Sequence, residues 1–203
     1  QGSEGRAMVR YADPEDHPEL GEDRPRPRTS PAEKLARRRE RNAALSGVAA
    51  VEGAREVALR KLDARACSRG ELERAITERG FSEDVATEVL DRLEAVGLVD
   101  DRAFAAMLVR DRFAGSGRTG RALVEDLRRR GLDREVIEEA LAEVDREDEL
   151  ERARELVSHR MRSLGSLDRD RAYRRLTGML ARKGYSPGTC SAVVSEALSA
   201  REE

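Results

Sequence analysis

The side chains in this chain best suited to chemistry are its arginines, which gather in two stretches. Residues Arg110 to Arg130 hold seven arginines against three acidic residues, and residues Arg160 to Lys183 hold eight basic residues against two acidic ones. A guanidinium group binds carboxylates and phosphates through forked, charge-assisted hydrogen bonds. The two stretches therefore predict binding to a partner rather than the making or breaking of covalent bonds.

A second candidate site is the sequence GSGRTG at residues 115 to 120, which satisfies the G-x-G-x-x-G fingerprint of dinucleotide-binding loops. That fingerprint has meaning only after a buried strand and inside a βαβ unit. The residues before it have helical spacing, and no β-branched strand lies near it. We interpret the match as accidental and the string as a flexible loop between two helices. The backbone amides of the next helix, beside Arg118 and Arg121, are still able to hold a phosphate.

No group of residues indicates a catalytic or metal site. Asp100 and Asp101 stand at the start of a predicted helix, where aspartate caps free backbone amides, and no histidine or third acid accompanies them. Cys67 and Cys190 are single and far apart, which predicts two buried thiols rather than a disulfide or a zinc site. The chain has no phosphate-binding loop with its lysine and no local serine, histidine and aspartate signature. We expect no enzymatic activity and no cofactor.

The helices that must position the arginines are indicated by a four-residue sequence motif that occurs three times. It reads RGFS at residues 79 to 82, RGLD at 130 to 133 and KGYS at 183 to 186. A basic residue ends one helix, glycine takes the left-handed position after it, an apolar residue folds back, and serine or aspartate caps the next helix. Each occurrence therefore predicts a corner between two helices.

The apolar residues around each corner repeat as well. Apolar side chains stand four and eight residues before each glycine, an i, i+4 stripe that is typical of a helix face. They are Ile76 and Leu72, Leu127 and Leu123, and Leu180 and Leu176. Aromatic residues make up only 3% of the chain and the mean hydropathy is −0.70, which favours small units with thin apolar faces over one large core. We predict an all-α fold of three tandem three-helix repeats that form an elongated curved rod.

The corners also predict how the chain divides. Residues 51 to 101 should form the first repeat, 102 to 147 the second and 148 to 203 the third, with net charges of −5, 0 and +2. Residues 1 to 31 have the composition of a disordered tail, and residues 32 to 50 form a charged segment that can be helical but has no continuous apolar face. No apolar run approaches the roughly 20 residues that span a bilayer, and no signal peptide is visible. We expect a cytoplasmic protein.

Beyond the corners, the chain resembles the RecX regulatory proteins of bacteria over about residues 51 to 200. The most specific part is GLVDDRAFA at residues 97 to 105. Shorter parts are ALRKL at 58 to 62, RGF at 79 to 81, RGL at 130 to 132 and LARKGY at 180 to 185. The resemblance implies three tandem three-helix repeats that bind in the helical groove of the RecA filament. It also implies inhibition of the recombinase, ATPase and co-protease activities of RecA, and single- or double-stranded DNA as a further partner.

A row of three modules suits such a target, because weak contacts to successive subunits of a polymer add as avidity. We expect a monomer that does not bind membranes. The residues expected to contact the filament or DNA are Arg118, Arg121, Arg128, Arg129, Arg130, Arg171, Arg174 and Arg175. For each of them an ordinary solvated helix face is an equal alternative. Two other functions stay open, namely a DNA-binding helical module acting without RecA and a helical-repeat adaptor for another protein partner.

Overall fold

The computed structural model describes residues 30 to 164 and 167 to 200. Within these ranges the chain forms ten helices and no strand, so the predicted all-α fold is confirmed. All but the last two residues of the predicted disordered tail lie outside the described residues. The helices are α1 (Pro31–Ala43), α2 (Gly47–Ala64), α3 (Arg69–Glu78), α4 (Glu83–Ala95), α5 (Asp101–Ser116), α6 (Gly120–Arg129), α7 (Arg134–Ala142), α8 (Arg146–Met161), α9 (Arg169–Lys183) and α10 (Pro187–Ser199).

Helix α1 has no buried residue. A capping box forms its start, in which the Ser30 backbone N–H donates to Glu33 Oε2 at 2.9 Å and the Glu33 backbone N–H donates to Ser30 Oγ at 3.1 Å. The boundary between two compact units of the chain falls after Arg37, within this helix. Only residues from position 38 onward belong to the same unit as α2 to α10.

Helices α2 to α4, α5 to α7 and α8 to α10 each enclose a separate apolar core, and we call these triplets repeats 1, 2 and 3. The residues of the predicted i, i+4 stripe lie at the centre of each core and are fully buried. Three small cores instead of one agree with the low aromatic content. The central residues are Leu72 and Ile76 in repeat 1, Leu123 and Leu127 in repeat 2, and Leu176 and Leu180 in repeat 3.

The three corners have the predicted backbone. Gly80, Gly131 and Gly184 adopt φ values of +95°, +80° and +100°, in the left-handed region that favours glycine. The apolar residue after each glycine is buried. Serine caps the next helix at the first and third corners, whereas Asp133 at the second corner forms no side-chain cap bond.

The corners have a second role that their sequence did not predict, because consecutive repeats touch there. Where repeat 1 meets repeat 2, the Ser68 hydroxyl donates a hydrogen bond to the backbone carbonyl of Arg130. A Cβ on Gly70 would lie 2.9 Å from the Cα of Gly131, so the two backbones are in direct contact. Ser68 also forms a capping box with Glu71. One helix start therefore serves both as a cap and as a docking surface.

Repeat 2 meets repeat 3 through an equivalent contact. The Thr119 backbone N–H donates to the carbonyl of Lys183 at 2.9 Å, and the Lys183 ammonium donates to the carbonyl of Ser116. A Cβ on Gly120 would lie 2.6 Å from the carbonyl oxygen of Gly184. In both places the start of the second helix of one repeat meets the corner of the next. We call this contact a joint.

The glycine-rich string at residues 115 to 120 forms one half of this second joint. It contains the last two residues of α5, the turn at residues 117 to 119 and the first residue of α6, so it follows a helix where a dinucleotide fingerprint requires a strand. Thr119 is buried, and a Cβ on Gly117 would collide with the side chain of Leu156 at 2.6 Å. The string is thus a packed turn, and the expectation of a flexible loop is not met because repeat 3 covers it.

Candidate partner-binding surface

Two of the predicted arginines, Arg118 and Arg129, are engaged inside repeat 2. Both donate hydrogen bonds to the carboxylate of Asp126, whose side chain is 9% exposed. Burial by itself raises the pKa of Asp126, but the two guanidinium groups outweigh burial and hold that pKa below its usual range. A charged carboxylate buried in this way requires its partners. The structure therefore gives Arg118 and Arg129 an internal role in holding α6.

Arg130 is engaged across the joint between repeats 1 and 2. Its guanidinium pairs with Glu71 at 2.9 Å and lies 5.7 Å from the ring centroid of Phe104. Arg65 approaches the same Glu71 carboxylate at 3.0 Å. Burial alone raises the pKa of Glu71, yet the hydrogen bond from Arg65 and the charge of Arg130 lower it overall. Arg130 thus joins two repeats.

Arg121 and Arg128 present exposed side chains on α6. Neither forms an ion pair within the part of the chain that the structure describes. Arg121 lines a surface cavity of about 420 Å³ together with Tyr173 and Arg174 of repeat 3. The fold therefore brings a predicted arginine of repeat 2 and one of repeat 3 to the same cavity.

The remaining predicted residues lie on α9. Arg171 pairs with Asp168 at 3.2 Å in the first turn of the helix, with 71% of its side chain exposed. Arg174 and Arg175 line a cavity of about 580 Å³ together with Arg160 from α8 and with Met179 and Arg182 from α9. Sequence reasoning did not select Arg160 and Arg182, although both lie in the second basic stretch. The helical spacing of positions 171, 175 and 182 was a usable signal for Arg182.

This cavity is unusual in its charge. Four of its five lining residues are arginines, the fifth is Met179, and no carboxylate lines it. Among the described residues none of the four arginines has an ion-pair partner. Arg174 donates to the backbone carbonyl of Asp170 at 3.3 Å, and not to its carboxylate. Four uncompensated guanidinium groups create a positive potential that attracts anions.

One of these groups lies beside a glycine inside α9. Gly178 stands in the helix interior, where glycine costs about 1 kcal/mol relative to alanine. A Cβ on Gly178 would lie 3.4 Å from Nη1 of Arg182, so the guanidinium lies across the glycine, one turn back along the helix. At that distance a methyl group would make an ordinary contact, so the glycine marks where the Arg182 guanidinium lies but does not by itself make room for it.

Other kinds of site find no support in the described ranges. No group of three or more histidine, cysteine, aspartate or glutamate side chains there could hold a metal ion. Cys67 and Cys190 are free, buried thiols, as predicted. Within the same ranges, no helix combines the length and the apolar character needed to cross a bilayer.

Comparison with known proteins identifies the family. Models of the first, second and third three-helix domains of RecX match residues 54 to 93, 100 to 141 and 147 to 194 in that order. The chain belongs to the RecX family. The regulatory protein RecX of Streptomyces coelicolor is 45% identical over 148 residues, which cover 73% of this chain and 79% of that protein. The regulatory protein RecX of Mycobacterium leprae is 48% identical over 153 residues, which cover 74% and 90%.

Solved RecX structures share the fold at low sequence identity. The crystal structure of RecX from Lactobacillus salivarius superposes with a TM-score of 0.66 at 20% identity, covering 72% of this chain and 95% of that one. A crystal structure of a regulatory protein RecX gives 0.65 at 22% identity, covering 70% and 72%. Each matched RecX domain falls on one helix triplet with its own core. RecX is a family of regulatory proteins and not an enzyme family.

Proposed function

We propose that this chain regulates the RecA recombinase by binding the RecA filament in its helical groove. The observation that supports this most strongly is membership in the RecX family combined with three separately cored repeats joined by equivalent contacts. Such an array offers successive surfaces to a partner that is itself a repeating polymer. Weak contacts to several subunits then add, and the filament is preferred over free RecA.

In this proposal the bound chain inhibits recombination, ATP hydrolysis and co-protease activity. It occupies the groove that a second DNA strand or a repressor substrate needs, and it alters the packing of neighbouring RecA subunits. No chemical step is required of the chain, which agrees with a family of regulatory proteins.

The eight predicted arginines divide into two groups by their contacts. Arg118, Arg129 and Arg130 are held by Asp126 and Glu71, so their first role is inside the protein. The other predicted arginines keep side chains directed to solvent, and we propose that these contact the filament. They are Arg121, Arg128, Arg171, Arg174 and Arg175.

Charge reversal of the arginine cavity tests this proposal. The double variant Arg174→Glu with Arg175→Glu should require roughly tenfold more protein to inhibit DNA-dependent ATP hydrolysis by RecA, since each exposed charge contact contributes up to about 1 kcal/mol. The matched control is Arg55→Glu with Arg60→Glu on α2 of repeat 1, two exposed arginines outside the proposed surface. It should inhibit like the unmodified chain.

The results separate the function from the site. If the unmodified chain fails to inhibit RecA, the proposed function is wrong. If it inhibits and the Arg174 and Arg175 variant inhibits equally well at an unchanged melting temperature, the function stands and the surface is wrong.

A second candidate function is DNA binding without RecA, and the four-arginine cavity of repeat 3 favours it. Tyr173, on the neighbouring cavity that shares Arg174, adds an aromatic ring of the kind on which bases stack. Capture experiments with RecA alone, with DNA alone and with the RecA filament distinguish this function from filament regulation. An adaptor for another protein partner would be captured by none of the three.

A further inference from the structure

Helix α1 lies outside the three matched domains, yet its last turn contacts repeat 1 at the corner. The Asn42 side-chain amide donates a hydrogen bond to the backbone carbonyl of Arg79 at 2.8 Å. A Cβ on Gly80 would collide with the carbonyl oxygen of Arg39 and would lie 2.9 Å from its Cα. All four residues belong to the same compact unit, residues 38 to 203.

This contact involves the same two corner positions as the two joints, although here the end of a helix and not its start meets the corner. At each of the three corners, the carbonyl of the residue before the glycine accepts a hydrogen bond from the element that precedes the repeat. At each corner, the glycine itself touches the backbone of that element. The donors are the Asn42 amide for Arg79, the Ser68 hydroxyl for Arg130 and the Thr119 backbone N–H for Lys183. The end of α1 thus occupies on repeat 1 the position that repeat 1 occupies on repeat 2.

The other end of the array lacks the feature that makes a joint. The first two residues of the second helix include a glycine in repeats 1 and 2, namely Gly70 and Gly120, and each lies against the corner of the next repeat. In repeat 3 the same two positions, at the start of α9, are Arg169 and Asp170. Side chains at both positions prevent the backbone approach that Gly70 and Gly120 allow.

We propose that the last turn of α1 is an N-terminal cap, which occupies the docking surface on the corner of repeat 1 and so ends the array. Arrays of stacked repeats need terminal elements with a polar outer face, because an uncovered repeat surface is unstable or associates with another copy. Helix α1 meets that description, since none of its residues is buried and it is rich in arginine. The cap is independent of what the array binds, so the proposal goes beyond the regulation of RecA.

Hydrogen exchange of the full chain tests the cap. In the variant Asn42→Ala the Arg79 carbonyl loses its donor, and we expect amide exchange in α1 and in the corner at residues 79 to 82 to become about fivefold faster. The corners at 130 to 133 and 183 to 186 serve as internal controls and should not change. A second variant, Gly80→Ala, places a methyl group against Arg39 and should accelerate exchange in α1 further.

A backbone control makes the second variant interpretable. Gly97 also has a positive φ, +72°, but a Cβ there would meet nothing within 4 Å. Gly97→Ala should therefore leave the exchange of α1 unchanged. The cap is refuted if α1 of the unmodified chain exchanges as fast as an unstructured peptide, or if neither Asn42→Ala nor Gly80→Ala changes its exchange. Failure of RecA inhibition by the unmodified chain would leave this result untouched.

Discussion

Replacing Gly184 by alanine tests the joint between repeats 2 and 3. Gly184 has a φ of +100°, and a left-handed conformation costs a residue with a side chain about 1 kcal/mol. The added Cβ would collide with the carbonyl oxygen of Thr119 and would lie 2.8 Å from the backbone nitrogen of Ala122. These are backbone atoms of α6 and its cap, so they cannot rotate away and the joint must open.

Opening the joint removes the hydrogen bond from the Thr119 N–H to the Lys183 carbonyl, which contributes about 1 kcal/mol. Gly184→Ala should therefore lower the free energy of unfolding by about 2 kcal/mol, the sum of the backbone strain and the lost hydrogen bond. Gly97→Ala is the control, because it also places a side chain at a positive φ, +72°, but with open space around the new methyl group. It should lower the free energy by about 1 kcal/mol.

Urea unfolding followed by circular dichroism measures both changes, with the slope of the transition reporting whether the repeats still unfold together. In an array whose stability depends on contacts between neighbours, opening one joint should also reduce that slope. If Gly184→Ala and Gly97→Ala destabilise the chain equally, the close approach at Gly184 adds nothing and the reasoning about joints is wrong.

Two further predictions concern charge. Because the pKa of Glu71 is lowered in the folded chain, its ion pairs stabilise the fold above the ordinary glutamate pKa of about 4.3 and lose that contribution as the pH falls through the lowered value. Glu71→Gln should thus have a lower melting temperature than the unmodified chain at pH 7, and the difference should shrink below about pH 4, as measured by thermal unfolding across pH. A difference in melting temperature that stays constant with pH contradicts the stabilising role of the Glu71 ion pairs. If the arginine cavity holds phosphates of single-stranded DNA, Arg175→Gln with Arg182→Gln should reduce the slope of log affinity against log salt by about 1.4, measured by anisotropy of a labelled oligonucleotide. Arg55→Gln with Arg60→Gln is the control and should leave the slope unchanged. If the slope is also unchanged in Arg175→Gln with Arg182→Gln, the arginine cavity does not bind DNA.

The sequence alone was enough to predict the helices, their corners and their grouping in threes. The reason is that the signals are local. A left-handed glycine, a capping serine and an i, i+4 stripe act over a few residues, and Gly80 with Ser82 specifies its corner whatever lies elsewhere in the chain. The resemblance to RecX depended on short sequence motifs of the same local kind, and the family comparison confirmed it.

Only the tertiary structure decided what the corners and the arginines do. The Ser68 hydroxyl donates a hydrogen bond to the carbonyl of Arg130, which is 62 residues away in the sequence. The Lys183 ammonium donates one to the carbonyl of Ser116, which is 67 residues away, so no local sequence pattern predicts either contact. For the same reason the sequence could not separate Arg130, which pairs with Glu71 across a joint, from Arg175, which lines an open cavity. The charge of an arginine is set by its own chemistry, but its partner is set by how repeats pack.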